Sequence, residues 1–210
     1  MSDTKPDLKT AYSLNSPQDS IDLYRSWAKT YDDDFAKAND YQNPARVAGL
    51  FAAHGPENTP ILDVGAGTGL VGEALATHNL DPVDALDISG EMLEMAMSKG
   101  CYRAAIKADL SFPIDIADET YGGVTSAGTF THGHVGPAAL DELIRVARSG
   151  ALFVLAINGE IYRSAGFADK FAALSGVISD FQIVETQGYG ASASADLQKK
   201  RSAVAVFRKR

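Results

Sequence analysis

Cysteine is all but missing. Cys101 is the only one in 210 residues, so no disulfide can form within the chain, and its neighbours offer no metal-ligand spacing. A lone thiol suits a reducing compartment, and a cytoplasmic protein is the expectation. Long apolar runs are missing too: none approaches the roughly 20 residues that a membrane span needs. The opening residues lack the basic-then-apolar pattern of a secretory leader. Positive charge is in short supply, with 19 Lys and Arg against 27 Asp and Glu and a net charge of −8. Nucleic acid is therefore a poor default partner, because phosphate binding needs a basic face. The two basic clusters, Lys199-Lys200-Arg201 and Arg208-Lys209-Arg210, read as a solvated turn and tail. Repeats and low-complexity linkers are also absent. Residues 1–17 are polar and read as a flexible tail, and 18–210 read as a single domain large enough for a full core.

What the chain does have is glycine, concentrated where an apolar strand ends. Ile61-Leu62-Asp63-Val64 leads into Gly65-Ala66-Gly67-Thr68-Gly69, and Leu70, Val71, Ala74 and Leu75 then recur at helical spacing. Strand, glycine turn and helix together aim backbone N–H groups and the positive end of a helix dipole at a ligand. A dinucleotide enzyme would set a pyrophosphate there through G-x-G-x-x-G. The register that starts at the strand end has Leu70 at the third glycine, and the register that contains Gly72 starts late. Asp63 is a second objection, since a carboxylate repels a pyrophosphate but attracts an amine or a sulfonium. The loop favours a cationic ligand without phosphates.

Asp63-Val64-Gly65-Ala66-Gly67-Thr68-Gly69 resembles the first motif of class I S-adenosylmethionine-dependent methyltransferases. The cofactor of that family carries a sulfonium, an ammonium and a carboxylate, which agrees with the charge argument. The rest of the chain can be set beside this resemblance. Pro82 to Ile88 reads as a second strand ending in Asp87, eighteen positions after Gly69, where nucleotide-binding folds place an acid for ribose hydroxyls. Asp87-Ile88-Ser89-Gly90-Glu91-Met92-Leu93-Glu94-Met95-Ala96 resembles the family's D-x-S-x-x-M-L-x-x-A segment, with Ser89 as helix N-cap. The resemblance implies that Ile88 and Met92 line an adenine ring. A third strand over Tyr102–Ala108 ends at Asp109-Leu110, which the resemblance assigns to the adenine amino group and ring. A fourth, Tyr121 to Gly128, brings Ser126 and Ala127 to the methionine end of the cofactor. A helix over Pro137–Arg148, stopped by Ser149-Gly150, precedes a fifth strand over Ala151–Asn158. A helix near 165–179 and strands over Phe181–Tyr189 and Ser202–Arg208 complete the pattern, the last strand reversed.

The expected fold is therefore Rossmann-like, a mostly parallel seven-stranded sheet with helices on both faces. Ahead of it, Tyr24, Trp27 and Tyr31 recur every three or four positions on a helix over Ile21–Asp32. Trp27-Ala28-x-x-Tyr31-Asp32 is similar to the segment that covers the cofactor in small-molecule methyltransferases, so 18–55 read as a helical lid. Together with Ser126 to Val135 and Leu143 to Val146, these residues resemble the methyltransferase-like proteins of the Williams–Beuren region type. A small-molecule acceptor is the implied substrate. Methyl transfer is an in-line displacement that rests mainly on positioning. A base is needed only where the nucleophile must shed a proton early, and His132 and His134, with Tyr31 as alternative, are the candidates. The competing readings are a non-catalytic SAM-binding regulatory protein and a nicotinamide-dependent oxidoreductase. The second is weakened by the lack of a Tyr-x-x-x-Lys pair.

Overall fold

A computed structural model describes residues 17–132 and 135–210. Seven strands form one sheet in the order β3-β2-β1-β4-β5-β7-β6. They are β1 (Ile61–Val64), β2 (Val83–Asp87), β3 (Ala104–Lys107), β4 (Tyr121–Phe130), β5 (Ala147–Asn158), β6 (Ile178–Gln187) and β7 (Arg201–Lys209). The first five are parallel, and β7 runs antiparallel to both of its neighbours. A dinucleotide-binding Rossmann sheet ends 4-5-6 instead. The chain winds outward from β1 to β3 and returns to β4 beside β1, and ligands bind at such a switch point, outside the strands' carboxyl ends.

Both faces of the sheet are covered, as continuous apolar strands require. Along β5, Phe153, Leu155 and Ile157 point into one core with helix α5 (Ala139–Val146) and α7 (Phe167–Ala173), and Phe153 stacks on Phe207 at 4.5 Å. Their neighbours Leu152, Val154 and Ala156 point into the other core. There they meet α2 (Asn43–His54), α3 (Leu70–Ala76) and α4 (Gly90–Ser98), through residues such as Phe51, Leu75 and Leu93. A third cluster, built on Trp27, Phe35, Ala36, Tyr189 and Ala193, joins the N-terminal segment to the loop after β6.

Several boundaries differ from the expectation. The N-terminal helix α1 spans Pro17–Trp27, and Tyr31 lies past its end, against a π-helical turn at Asp32–Lys37. The tail assigned to 1–17 lies almost wholly outside the described residues, and the helix already includes Pro17. Helix α5 runs from Ala139 to Val146, not from Pro137 to Arg148: Ala147 to Gly150 join β5, where the pairing shifts between Tyr121 and Gly123. The helix near 165–179 divides into α6 (Ile161–Ser164), α7 and a short 3-10 turn at Leu174–Gly176. The basic C-terminal cluster is engaged as well. Arg208 donates to Asn58 Oδ1, the Gly150 carbonyl and the His54 carbonyl, and Lys209 to the Ala147 carbonyl.

One buried network links loop, helix and sheet. The Tyr102 hydroxyl accepts a hydrogen bond from the Gly72 N–H at 2.9 Å and donates to Asp63 Oδ2 at 2.7 Å. Gly72 makes this possible by having no Cβ: one added there would lie 2.3 Å from the Tyr102 ring. Gly72→Ala is therefore expected to cost about 1–3 kcal/mol through overpacking. Gly49→Ala, in helix α2 with nothing within 4 Å, is the control of opposite sign, worth about 0.5–1 kcal/mol of stabilisation. Chemical denaturation of the two variants and the parent checks both.

Candidate functional site

The carboxyl ends of β1, β2, β3 and β4 enclose a cavity of about 280 Å³. That is close to the lower end of ligand pockets, roughly 300–1,000 Å³. The glycine turn forms its floor. Gly65 has φ +65°, and a Cβ there would fall 1.8 Å from Thr129 Oγ1, so only glycine lets β1 end against β4 in this way. Thr129 and Ser126 both donate to the Val64 carbonyl, at 2.9 and 2.8 Å. Asp87 holds the turn in place, accepting from the Gly67 N–H at 2.8 Å and from the Ser89 N–H at 2.9 Å. Burial raises its pKa, against the opposing pull of these backbone donors. Ser89 caps α4 through the Met92 N–H.

Most of the sequence candidates meet at this cavity. Gly65, Ala66, Gly67, Asp87, Ile88, Met92, Asp109, Leu110, Ala127, Tyr24 and Tyr31 all line it. Asp109 also accepts from the Ser111 N–H at 2.8 Å, the bond of a turn. Five candidates sit elsewhere. Asp63 is fully buried behind the wall, with Tyr102 and Thr125 as donors. Gly69 packs at the start of α3 against Ala96 and Tyr102. Ser126 is buried and braces β1. Trp27 faces a second, smaller cavity, and His132 lies 3.8 Å from Glu160. His134 lies outside the described residues. The sequence reading did not single out Thr68, Tyr41, Gly128 or Thr129, which also line the main cavity. Tyr41 reaches it through an antiparallel bridge to Tyr189, a pairing across the fold that leaves no local pattern.

The electrostatics of the wall decide between ligands. Its charged side chains among the described residues are the carboxylates of Asp87 and Asp109, and no Lys or Arg lines it. A pyrophosphate would be repelled, whereas a cationic ligand with hydroxyls would be held. The charge argument made for Asp63 thus belongs to Asp87 and Asp109. Among the described residues no cluster of three His, Cys, Asp or Glu is placed to hold a metal ion.

The N-terminal segment packs against this wall. Tyr24, Tyr31 and Tyr41 form its inner surface. Arg25 of α1 pairs with Glu91 of α4 at 2.7 Å. Asp32 of the π turn accepts from Thr68 in the glycine loop and from Lys99 Nζ at 2.6 Å, and Lys99 also holds Glu73 at 2.6 Å. Asp40 anchors the far end through the N–H and hydroxyl of Ser192. Burial among neighbouring rings pushes the Tyr31 phenol well above its ordinary pKa.

Comparison with known proteins agrees with this geometry. A family model described as a methyltransferase domain matches residues 62–155, which span β1 to β5. Human methyltransferase-like protein 27 is 30% identical over 152 residues, covering 70% of this chain and 61% of that protein. Residues 62–155 thus carry a methyltransferase domain, and the chain spans about three fifths of the length of the curated relative it matches. Solved structures share the fold of this methyltransferase. A SAM-dependent methyltransferase from Aquifex aeolicus superposes with a TM-score of 0.60 at 21% identity, over 88% of this chain and 98% of that one. A Haemonchus contortus phosphoethanolamine N-methyltransferase, solved with phosphomonomethylethanolamine and S-adenosylhomocysteine, gives 0.66 at 12% identity over 94% and 61%. The acidic, phosphate-averse wall fits S-adenosylmethionine (SAM). No helix among the described residues is long and apolar enough to cross a membrane.

Two expectations follow. Burial raises the Asp63 pKa to about 7, opposed by the Tyr102 and Thr125 hydrogen bonds. A raised carboxyl favours the fold while protonated. Its contribution is full below the unfolded value of about 4 and is lost as pH climbs through about 7. Asp63→Asn should flatten that decline, which is worth at most about 4 kcal/mol, and denaturation curves from pH 4 to 9 measure the difference. Asp32→Ala should free the lid turn. Proteolysis between Tyr24 and Tyr31 in the presence of SAM is expected to speed up, while Lys99, 15% exposed, keeps Glu73 as its partner and the stability loss stays within the ~1.5–3 kcal/mol of hydrogen bonds to a charged group.

Proposed function

We propose that this methyltransferase transfers the methyl group of SAM to a small-molecule acceptor, in the cytoplasm, without nucleic-acid or membrane partners. The observation that carries the reading is the wall: Asp87 and Asp109 at successive strand ends, with no Lys or Arg among the described lining residues. When bound, the cofactor supplies an activated methyl carbon on a sulfonium, and the nucleophile displaces a neutral thioether.

The chain's own residues bind and orient. Asp87 has a lone pair left on each oxygen after its two backbone bonds, enough to accept from two ribose hydroxyls. Ile88, Met92, Ala108 and Leu110 offer an apolar slot for the adenine, with Asp109 beside it for the amino group. Tyr24, Tyr31 and Tyr41 offer ring faces to the sulfonium, at ~0.5–2 kcal/mol for a cation–π contact. Residues 18–55 act as the lid, which excludes water while the displacement proceeds. Where the acceptor must lose a proton, His132 beside Glu160 is the described candidate for receiving it, and His134 is the second.

Calorimetric titration with SAM, S-adenosylhomocysteine and NADH tests the reading. Micromolar binding of the first two and none of NADH is expected. Asp87→Ala should weaken SAM about 10- to 100-fold, the loss of hydrogen bonds to a charged acceptor, while remaining folded by circular dichroism. Binding of NADH in place of SAM would overturn the proposal. SAM binding without methyl transfer to any of a panel of small acceptors would turn it into that of a binding protein.

A further inference from the structure

The two cavities follow the strand order. The cofactor cavity lies over the carboxyl ends of β3, β2, β1 and β4, lined there by Asp109, Asp87, Gly65 and Gly128. The second cavity, about 70 Å³ in volume, lies over the carboxyl ends of β4, β5 and β6 and the amino end of β7, through Thr131, Asn158, Tyr189 and Ser202. Tyr24, Tyr31 and Tyr41 of the N-terminal segment line both, and Gly128 is the strand residue common to the two. The backbone at this meeting point is irregular. Between the pairs Ala127–Ala156 and Phe130–Ile157, β4 has two residues where β5 has none. Such bulges break the ladder and are common beside active sites. Thr129 of the bulge is tied to the Val64 carbonyl at 2.9 Å, and Gly128 takes φ +93°. A Cβ on Gly128 would stand 3.1 Å from the Tyr41 hydroxyl oxygen, and among the described residues no other atom beyond its chain neighbours comes within 4 Å of that position. The space beside Gly128 is therefore open, and one tyrosine oxygen faces it.

We infer that Gly128 is a size-selective portal: the group carried on the cofactor's sulfur passes between Gly128 and Tyr41, and the second cavity receives it together with the reacting end of the acceptor. The inference rests on the proposed methyl-transfer function. Strand order supplies the direction. With Asp109 beside the adenine and Asp87 on the ribose, the sulfonium comes next along the sheet edge, at β1 and β4, where Gly128 stands. In the transfer, a lone pair of the acceptor forms the new bond to the methyl carbon as the carbon–sulfur bond breaks, and that bond's electron pair stays on sulfur. The attack is in line, so the nucleophile approaches from the side of the methyl group opposite sulfur. Beyond Gly128, that side is the second cavity. Its volume limits what can enter. A cavity of about 150 Å³ holds benzene, so about 70 Å³ takes two or three carbons of a slender chain and not a ring. The acceptor class that fits is an unhindered nucleophile at the end of such a chain. Gly128 is then a specificity-determining residue, because any side chain on it narrows the passage.

SAM analogues test the portal before any acceptor is known. The full chain is titrated calorimetrically with S-adenosylhomocysteine, with SAM, and with analogues whose sulfonium methyl is replaced by propargyl or by benzyl. The propargyl analogue is expected to bind within about threefold of SAM, and the benzyl analogue about tenfold more weakly or worse. Trp27 is the chain's one tryptophan and lines the second cavity but not the first, so propargyl should shift its fluorescence relative to SAM. Gly128→Ala should lower the affinity for propargyl relative to S-adenosylhomocysteine about tenfold. A general disturbance of the fold would weaken both ligands together and leave that ratio alone, and the series on the parent chain needs no variant to fold. A propargyl analogue rejected by the parent overturns the inference, as does a benzyl analogue as tight as SAM, which would place the group in open solvent. So does tryptophan fluorescence that ignores propargyl. If neither SAM nor S-adenosylhomocysteine binds, the methyl-transfer reading falls and takes the portal with it, whereas rejection of propargyl alone removes only the portal.

Discussion

The carboxylate of Asp87 is the fixed point around which the site is arranged. It joins two turns from different strands, one oxygen holding Gly67 in the glycine loop and the other holding Ser89 at the start of α4. The Gly65 and Ala66 N–H groups already hold the Leu86 carbonyl at the end of β2, at 2.8 and 3.0 Å. Asp87 adds a side-chain link to these backbone bonds. Its geometry places the floor of the cavity and the apolar Ile88–Met92 side in one frame. A second, deeper tie through Gly72, Tyr102 and Asp63 fixes helix α3 to the sheet from behind. The two acids thus divide the work: Asp63 ties helix and sheet from behind, and Asp87 ties two turns at the cavity.

Much of this was legible in the sequence because it is local. Strands ending in Gly65, Asp87 and Asp109 are marked by apolar runs followed by glycine or acid, and the spacing along one sheet edge follows from the order of the elements. The cavity wall between Gly65 and Leu110 is therefore recognisable in advance. What escaped is what depends on contacts across the fold. Asp63 was assigned to the ligand because it ends a strand, but Tyr102, thirty-nine positions away, draws it inward. Gly72 had been discounted as a misplaced phosphate-loop glycine, and its function is to admit that same tyrosine. Trp27 looks like a third member of an aromatic stripe, yet the helix ends with it, so Tyr31 follows a different path and lines both cavities while Trp27 lines only the smaller one.

The N-terminal segment, proposed above as a lid, shows how a modest stretch can be well held without a large core of its own. Its aromatic cluster is small, and its ties are polar and spread over α3, α4, the glycine loop and the loop after β6. Each tie uses a side chain that reaches across from an element already fixed by the sheet. The lid's position is thus set by the same frame that sets the cofactor floor. Covering and binding surfaces then register against each other without depending on the length of the connection between them.

The ties also differ in how water reaches them. Arg25 and Glu91 have side chains 54% and 39% exposed, whereas Lys99, which bridges Asp32 and Glu73, is only 15% exposed. Dissolved ions screen the first pair far more than the second. Raising ionic strength would therefore loosen the helical end of the lid while its turn stays fastened to the glycine loop. Opening becomes directional, a peeling from Arg25 toward Asp32, and the edge that lifts first is the one beside Tyr24.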